Sequence, residues 1–374
     1  MKRVRAALAW AMSGLAVAGC MSSPGPRAPV IDPDAARAEI VRLLPANVDN
    51  RTGWSIDMFS AFEALNISPT SDNICAVIAV TEQESTFRVD PPVAGLPAIA
   101  RREIDTRAAS HGIPKLVVDA ALAVRSPNGV SYRERLENAR TEKALSEIYE
   151  DFIRSVPLGE RLFADLNPVR TGGPMQVSIA FAEQQARDKR YPYPQPGNIR
   201  QEVFTRRGGL YFGMAHLLDY PAPYDDMLFR FADYNAGHYS SRNAAFQNAV
   251  SMVSKTPLVL DGDLLLHGSS ASEPSKTELA VRKLSARLDL SDAQIRNDLE
   301  RGDGDAFEKT KLYSRLYALA DKSRKAAVPR AMVPRIRLES PKITRKLTTD
   351  WFAHRVDERY DRCLARSSRN RSSS

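Results

Sequence analysis

The chain has 374 residues, a formal net charge of +8 and a hydrophobic fraction of 43%. Its length exceeds that of one average domain, and its apolar content is ample for a packed core. The basic residues are spread along the chain without a recognisable nucleic-acid motif, so nucleic acid is not an expected partner.

The N-terminus has the pattern of an export signal. Basic residues precede an apolar run over 6–19, which is too short to span a bilayer as a helix. The run ends in Val-Ala-Gly before Cys20 and resembles a bacterial lipobox. This resemblance implies that 1–19 form a lipoprotein signal peptide and that Cys20 carries the lipid. An ordinary cleaved signal followed by an incidental cysteine is the alternative.

Met21, rather than Asp, follows the lipobox cysteine. By the same resemblance, we expect an outer-membrane lipoprotein of a Gram-negative bacterium that faces the periplasm. Residues 20–45 are predicted to be the lipidated N-terminus and a flexible tether, since 22–33 are rich in Pro, Ser and Gly. No later segment approaches the ~20 apolar residues of a membrane span, so the lipid is the expected membrane anchor.

Two cysteines remain once Cys20 is assigned to lipid. Exported proteins fold in an oxidising compartment, where cysteine pairs form disulfides. The sequence therefore predicts a disulfide between Cys75 and Cys363. The alternative is two separate thiols, with Cys75 acting as a small apolar residue of a buried helix.

Helical patterning dominates the rest of the chain and strand-like alternation is scarce, so the predicted fold class is mainly α. Residues 54–65 are predicted to form an amphipathic helix. A second helix, with Ser71 as its N-cap, is apolar nearly all round over 74–80, which predicts burial and places Glu84 in its last turn. Further helices are predicted within 114–157, 209–218, 224–234 and 278–325.

Loops and linkers separate these helices. The tyrosines and prolines of 191–197 suit either the rim of a sugar-binding cleft, since aromatic rings stack on sugars, or a stiff connector. A Ser-rich linker is predicted at 268–275. The final residues, 366–374, are almost all Arg and Ser and are predicted to be a disordered basic tail.

Three short motifs follow one another along the chain. They are Glu-Ser-Thr-Phe at 84–87, Gly-Pro-Met-Gln at 173–176 and Tyr-Asn-Ala-Gly at 234–237. Each is weak alone, because a glutamate at a helix end or an Asn-Ala-Gly helix stop is common. Their order in an exported chain makes the combination informative.

Together the motifs resemble the catalytic signature of the lytic transglycosylases, lysozyme-like enzymes that cut the glycan strands of bacterial peptidoglycan. The resemblance covers roughly 52–89 and 170–249. It implies a lysozyme-like domain, with very little sheet, over 46–260. The long interval between the first two motifs then becomes a helical insertion at about 94–166, and 261–365 become a helical C-terminal extension.

The resemblance assigns a role to each motif. Glu84 is implied to be the catalytic acid, and the substrate-binding residues are implied to be Ser85, Met175, Gln176, Tyr234 and Asn235. The structural alternatives are a solvated glutamate and an ordinary helix stop. We expect burial and the negative end of the helix dipole to raise the pKa of the Glu84 carboxyl toward the neutral range, as a general acid requires.

Glu82 competes with Glu84 for the catalytic role. Residues two apart on a helix are separated by about 200°, so only one of the two can face a given cleft. Ser85 and Phe87 complete the pattern after Glu84, which selects that residue. Two departures from the family pattern are Pro174, where Leu is usual, and Asp233, where Ala is usual.

By the same resemblance, one glutamate does both proton transfers. It protonates the oxygen between N-acetylmuramic acid and N-acetylglucosamine, then takes the proton of the carbon 6 hydroxyl as that oxygen closes on carbon 1 to give a 1,6-anhydro sugar. Peptidoglycan is the implied substrate, other cell-wall proteins are candidate partners, and no metal or cofactor is expected. The rivals are a lysozyme-type muramidase, with Asp233 or Asp90 as second carboxylate, and a non-catalytic peptidoglycan-binding scaffold.

Overall fold

A computed structural model of the protein describes residues 32–155, 167–194, 197–266, 268, 273–338 and 346–371. The predicted signal and Cys20 lie outside these residues. Within them the chain is mainly helical with two short two-stranded sheets, so the mainly α prediction is confirmed. Among the described helices, none combines the length and the apolar character needed to cross a bilayer.

Seven helices precede the second motif in the described part of the chain. They are α1 (Pro33–Leu43), α2 (Arg51–Ala64), α3 (Ser71–Ser85), α4 (Leu96–Ser110), α5 (Lys115–Ala123), α6 (Tyr132–Asn138) and α7 (Glu142–Ser155). Helices α4 to α7 pack on one another and form the described part of the predicted insertion.

The second half of the chain begins with a hairpin and ends with a long helix. Its elements are β1 (Thr171–Gly172), β2 (Val177–Ser178), α8 (Ile179–Asp188), α9 (Ile199–Val203), α10 (Arg206–Leu218), α11 (Met227–Ala236), α12 (Ser240–Ser254), α13 (Lys276–Arg282), α14 (Ser285–Leu288), α15 (Asp292–Leu299), a 3₁₀ helix (Asp305–Lys309), α16 (Lys311–Arg324), β3 (Arg337–Leu338), β4 (Leu347–Thr348) and α17 (Thr349–Arg371).

Helix α3 is the centre of the first core. Its residues 74–80 are buried without exception, as the apolar pattern predicts. The side chain of Thr70, one residue before the predicted cap, accepts a hydrogen bond from the backbone N–H of Asn73. The helix ends where Thr86 adopts a left-handed conformation, with φ 50°, so Glu84 lies in its last turn.

The described side chains form two hydrophobic cores. The first collects residues of α1 to α11 and of α17, whereas the second lies among α12 to α16. Helix α17 packs along α3 and α11 and buries Phe352 and Val356 there. The last helix of the predicted C-terminal extension is therefore part of the core that carries the motifs.

Two terminal predictions need correction. Part of the predicted tether, 33–43, forms helix α1, whose Ile40 and Leu43 are fully buried. Asp32 caps this helix and Pro33 occupies its first position, which is a helix start signal inside a proline-rich stretch.

Part of the predicted disordered tail, 366–371, continues α17 instead. The Arg366 side chain donates to the Leu43 carbonyl at 2.9 Å, and the Ser367 hydroxyl donates to that of Ser71 at 3.1 Å. These contacts with α1 and α3 stabilise a helix in a segment whose composition alone predicts disorder. Residues 372–374 lie outside the described part.

Cys75 of α3 and Cys363 of α17 form a disulfide, the pair predicted from the sequence. Both residues are fully buried, and 288 positions separate them along the chain. The bond ties the C-terminal helix to the helix that carries Glu84.

We predict that the double substitution Cys75→Ala and Cys363→Ala lowers the free energy of unfolding by about 2–4 kcal/mol, because a disulfide restricts the unfolded chain. Thermal unfolding with and without a reducing agent measures this. The reductant should lower the melting temperature of the wild type and leave that of the double variant unchanged. Two free thiols in the non-reduced wild type would contradict the pairing.

Candidate functional site

Glu84 and Glu82 point to different parts of the molecule. The Glu82 carboxylate lies 3.7 Å from Nε of Arg359 and 3.9 Å from Nη2 of Arg362, both on α17. Glu84 is partly buried, and its charge acts on Tyr234 of α11. The rotation of about 200° between the two positions separates them in this way.

Tyr234 connects the first and second motifs. Its side chain is buried, and its hydroxyl donates a 2.7 Å hydrogen bond to the carbonyl of Met175. Burial raises the pKa of Tyr234 well above 10, and the carboxylate of Glu84 raises it further. The structure thus brings Glu84, the turn at 173–176 and Tyr234 together.

The second motif is the four-residue turn of the β1–β2 hairpin. Thr171 pairs with Ser178 and Gly172 with Val177, which leaves 173–176 as the turn. Gly173 has φ +71°, and a Cβ atom there would lie 2.1 Å from the Val203 carbonyl oxygen. Only glycine fits this backbone position.

Helix α10 holds the turn through small residues. Met175 is fully buried against Gly213, where a Cβ atom would lie 2.5 Å from the methionine sulfur. Pro174 packs against Gly209, where a Cβ atom would lie 2.4 Å from the proline ring. Met175 is therefore a packing residue, and the unusual Pro174 occupies space that a glycine leaves free.

The Gln176 amide is partly buried and engaged within the hairpin. Its nitrogen donates to the Gly173 carbonyl at 3.2 Å, and its oxygen accepts from the Thr171 hydroxyl at 3.3 Å. Both hydrogen bonds have long donor–acceptor distances. A substrate amide would have to replace or share these bonds.

Ser85 and Asn235 are engaged elsewhere. The Ser85 side chain is buried, and its hydroxyl donates to the Thr81 carbonyl at 3.1 Å within α3. The Asn235 side-chain oxygen accepts from the Thr349 hydroxyl at 2.9 Å, at the start of α17. The Asn235 bond ties α11 to the start of α17, whereas the Ser85 bond stays within α3.

Asp233 anchors the start of α12. Its buried carboxylate accepts from the backbone N–H groups of Tyr239 at 2.9 Å and Ser241 at 2.7 Å, and from the hydroxyls of Tyr220 and Tyr224. Burial raises its pKa to about 6, although these donors oppose the shift. Its described hydrogen bonds do not leave it available as a second catalytic carboxylate.

A histidine pair that the sequence did not single out lies behind Tyr234. Nε2 of His216 donates to the Tyr234 carbonyl at 3.2 Å, and Nε2 of His238 donates to the His216 carbonyl at 2.7 Å. The two rings stack with centroids 4.5 Å apart. Burial, together with the neighbouring His238, lowers the pKa of His216 to about 3.

The predicted cleft-rim loop is anchored to the core. Tyr191 is buried, stacks on Phe212 with centroids 5.0 Å apart and donates to the Glu202 carboxylate at 2.8 Å. Tyr193 is partly buried against Tyr211. These contacts favour the connector interpretation for the two tyrosines. Residues 195–196 lie outside the described part.

Two cavities of the described structure lie away from Glu84 and Tyr234. A cavity of about 430 Å³ opens at the base of the hairpin, lined by Arg170, Ser178, Glu183 and Arg200 among others. A cavity of about 590 Å³ lies in the region of the second core, between 256–258, α13 and α15. Among the described residues, no group of three or more His, Cys, Asp or Glu is arranged to hold a metal ion.

Comparison with known proteins identifies relatives without a described activity. The sequence model of a family described as a protein of unknown function, DUF1615, matches residues 47–366. The uncharacterized protein YaiW of Escherichia coli strain K12 is 55% identical over 353 residues, which cover 94% of this chain and 95% of YaiW. No solved structure matches.

We predict that Tyr234→Phe lowers the free energy of unfolding by about 1–3 kcal/mol, because the buried Met175 carbonyl loses its donor. Tyr132→Phe is the matched control. Tyr132 is also buried, but among the described residues its hydroxyl has no hydrogen-bond partner. Urea unfolding of both variants measures the difference, and equal losses would contradict a contribution from the Tyr234 bond.

We also predict that His216 makes stability fall in acid. Its pKa is lowered in the folded protein, so the unfolded chain alone binds the proton below pH 6.5. The free energy of unfolding is therefore highest above pH 6.5, and His216 lowers it by about 1.4 kcal/mol per pH unit as the pH falls from 6.5 toward 3.

Urea unfolding between pH 7 and pH 5 tests this assignment. His216→Gln keeps a side-chain donor but does not titrate, so its stability should decline less steeply than that of the wild type. The exposed His111 provides the control substitution His111→Gln, which should leave the slope unchanged. If the free energy of unfolding of His216→Gln falls with pH as steeply as that of the wild type, the assignment is contradicted.

Proposed function

The chain belongs to the DUF1615 family of proteins of unknown function, and from its site we propose that it is a peptidoglycan lytic transglycosylase. The proposed reaction cleaves the bond between N-acetylmuramic acid and N-acetylglucosamine and forms 1,6-anhydro-N-acetylmuramic acid. We further propose a lysozyme-like arrangement of the motif-bearing helices. The proposed location is the periplasmic face of the outer membrane, with the protein anchored by lipid on Cys20.

The convergence of three distant segments is the observation that carries this proposal. The last turn of α3, the hairpin turn at 173–176 and the end of α11 meet through the Tyr234 hydroxyl and the charge of Glu84. The local sequence of these three segments does not by itself require them to be neighbours in the folded chain. Their meeting supports the relationship that the sequence motifs suggest.

The position of Glu84 supports its proposed role as the acid–base catalyst. It is partly buried in the last turn of a helix whose residues 74–81 are buried. In the proposed reaction its carboxyl proton passes to the glycosidic oxygen, and the bond to carbon 1 breaks. The resulting carboxylate takes the proton of the carbon 6 hydroxyl, whose oxygen bonds to carbon 1. The glutamic acid is regenerated and water is not consumed.

The engagement of Asp233 favours transglycosylation over hydrolysis of the lysozyme type. Most glycosidases use two carboxylates near the bond that breaks. Asp233 is committed to the N-terminus of α12 and to two tyrosines. Asp90, the other candidate for a second carboxylate, is exposed. We therefore propose a mechanism with one carboxylate, Glu84.

A non-catalytic, peptidoglycan-binding scaffold is the second candidate function. The observation that favours it is the Gln176 amide, whose nitrogen and oxygen both bond within the hairpin. A scaffold would hold glycan at the same three segments without cleaving it.

We predict that Glu84→Gln lowers the release of soluble fragments from purified sacculi by about 10²–10⁴-fold, because the amide cannot transfer the proton. Glu82→Gln is the matched control. It removes a similar carboxylate two residues away that faces Arg359 and Arg362, and it should retain activity near that of the wild type. Equal loss in both variants would contradict the assignment of Glu84.

Mass spectrometry of the released fragments separates the candidates. Anhydro ends support the transglycosylase, whereas ends that have gained one water per cut indicate a muramidase. If the wild type and Glu84→Gln release nothing and bind sacculi equally, the scaffold is the correct function.

A further inference from the structure

Helix α5 exposes an apolar face that nothing in the described structure covers. Leu116 is 80% exposed and Val117 53% exposed on the helix, and Ile113 and Val124, which flank it, are 43% and 53% exposed. At 100° per residue, positions 116, 117, 120 and 123 fall within an arc of about 120°. All four carry Leu, Val or Ala, so they form one apolar stripe.

The opposite side of the same helix is already used for packing. Val118 and Leu122 are 7% and 8% exposed and belong to the first core. A surface helix is normally apolar on its core side and polar on its outer side. Helix α5 is apolar on both sides, so its outer stripe is not explained by the fold.

The charges around the stripe are mostly positive. Lys115 and Arg125, at the two ends of α5, are exposed. The one acidic side chain between 109 and 130, Asp119, is paired with Arg101. Arg133 is also exposed and bonds to the Asp119 backbone carbonyl at 2.9 Å. An apolar stripe rimmed by cations has the pattern of helices that lie in the surface of anionic bilayers.

We infer that the outer face of α5 docks on a phospholipid bilayer that carries anionic headgroups. Leu116 and Val117 enter the boundary between headgroups and acyl chains, and Lys115 and Arg125 contact the phosphates. This inference goes beyond glycan cleavage and does not depend on it.

The short segment between Cys20 and the first described residue favours a membrane as the partner of this face. Eleven residues separate Cys20 from Asp32, where the described structure begins. Fully extended, this segment spans roughly 40 Å, about twice the radius of gyration expected for a chain of this size. With lipid on Cys20, as proposed above, Asp32 stays within this distance of the bilayer, so a membrane is a surface that the protein is always near.

The experiment uses the full chain with Leu116→Trp, mixed with vesicles of phosphatidylethanolamine and phosphatidylglycerol whose acyl chains carry bromine. Bromine quenches only tryptophans that enter the bilayer. The fluorescence contributed by the new tryptophan should fall by roughly twofold. Val259→Trp, at a position 60% exposed in another part of the chain, is the matched control and should not be quenched.

A second variant tests the apolar stripe directly. Adding Val117→Glu to the Leu116→Trp chain should abolish the quenching, because a carboxylate does not enter the acyl region, and should leave the melting temperature unchanged. Quenching that is equal at positions 116 and 259, or absent at 116, would overturn the inference. An absence of quenching together with capture of a protein by this face would assign the stripe to a protein partner instead.

Discussion

The hydrogen bond from the Tyr234 hydroxyl to the Met175 carbonyl is the contact on which the candidate site depends. It is 2.7 Å long and buried, and it joins residues 59 positions apart. A buried carbonyl in a turn is costly without a donor, and the buried Tyr234 hydroxyl supplies one. This bond fixes the hairpin against α11, and the Glu84 carboxylate lies close enough to act on the same phenol.

The orientation of Glu84 is set by the far side of its helix. Cys75 is bonded to Cys363, and Glu82 faces Arg359, so α17 fixes how α3 is rotated about its axis. With Glu82 turned toward α17, Glu84 is directed toward α11. The C-terminal helix is thus part of the support of the site although it lies outside the resemblance to transglycosylases.

The two departures from the family pattern have structural explanations. Pro174 fits because Gly209 leaves room for the ring, and the buried Asp233 supplies acceptors for the first backbone N–H groups of α12. Neither residue alters the bond between Tyr234 and Met175. The departures therefore leave the contact between the hairpin turn and α11 intact, and both polar groups of the Gln176 amide bond within the hairpin.

The sequence by itself determined the helical class, the burial of 74–80, the cysteine pair and the identity of the motif residues, because these depend on local pattern and composition. It did not lead us to expect helix at 33–43, because the start signal at Asp32 and Pro33 lies in a proline-rich stretch, or at 366–371, because that segment contacts α1 and α3 far away in the chain. Only the tertiary structure decided that Met175 packs in the core, that Ser85 and Asn235 bond to Thr81 and Thr349, and that Asp233 caps α12. The positions of Met175 and Asn235 depend on helices distant in sequence, and those of Ser85 and Asp233 on which of several nearby acceptors or donors the folded chain presents.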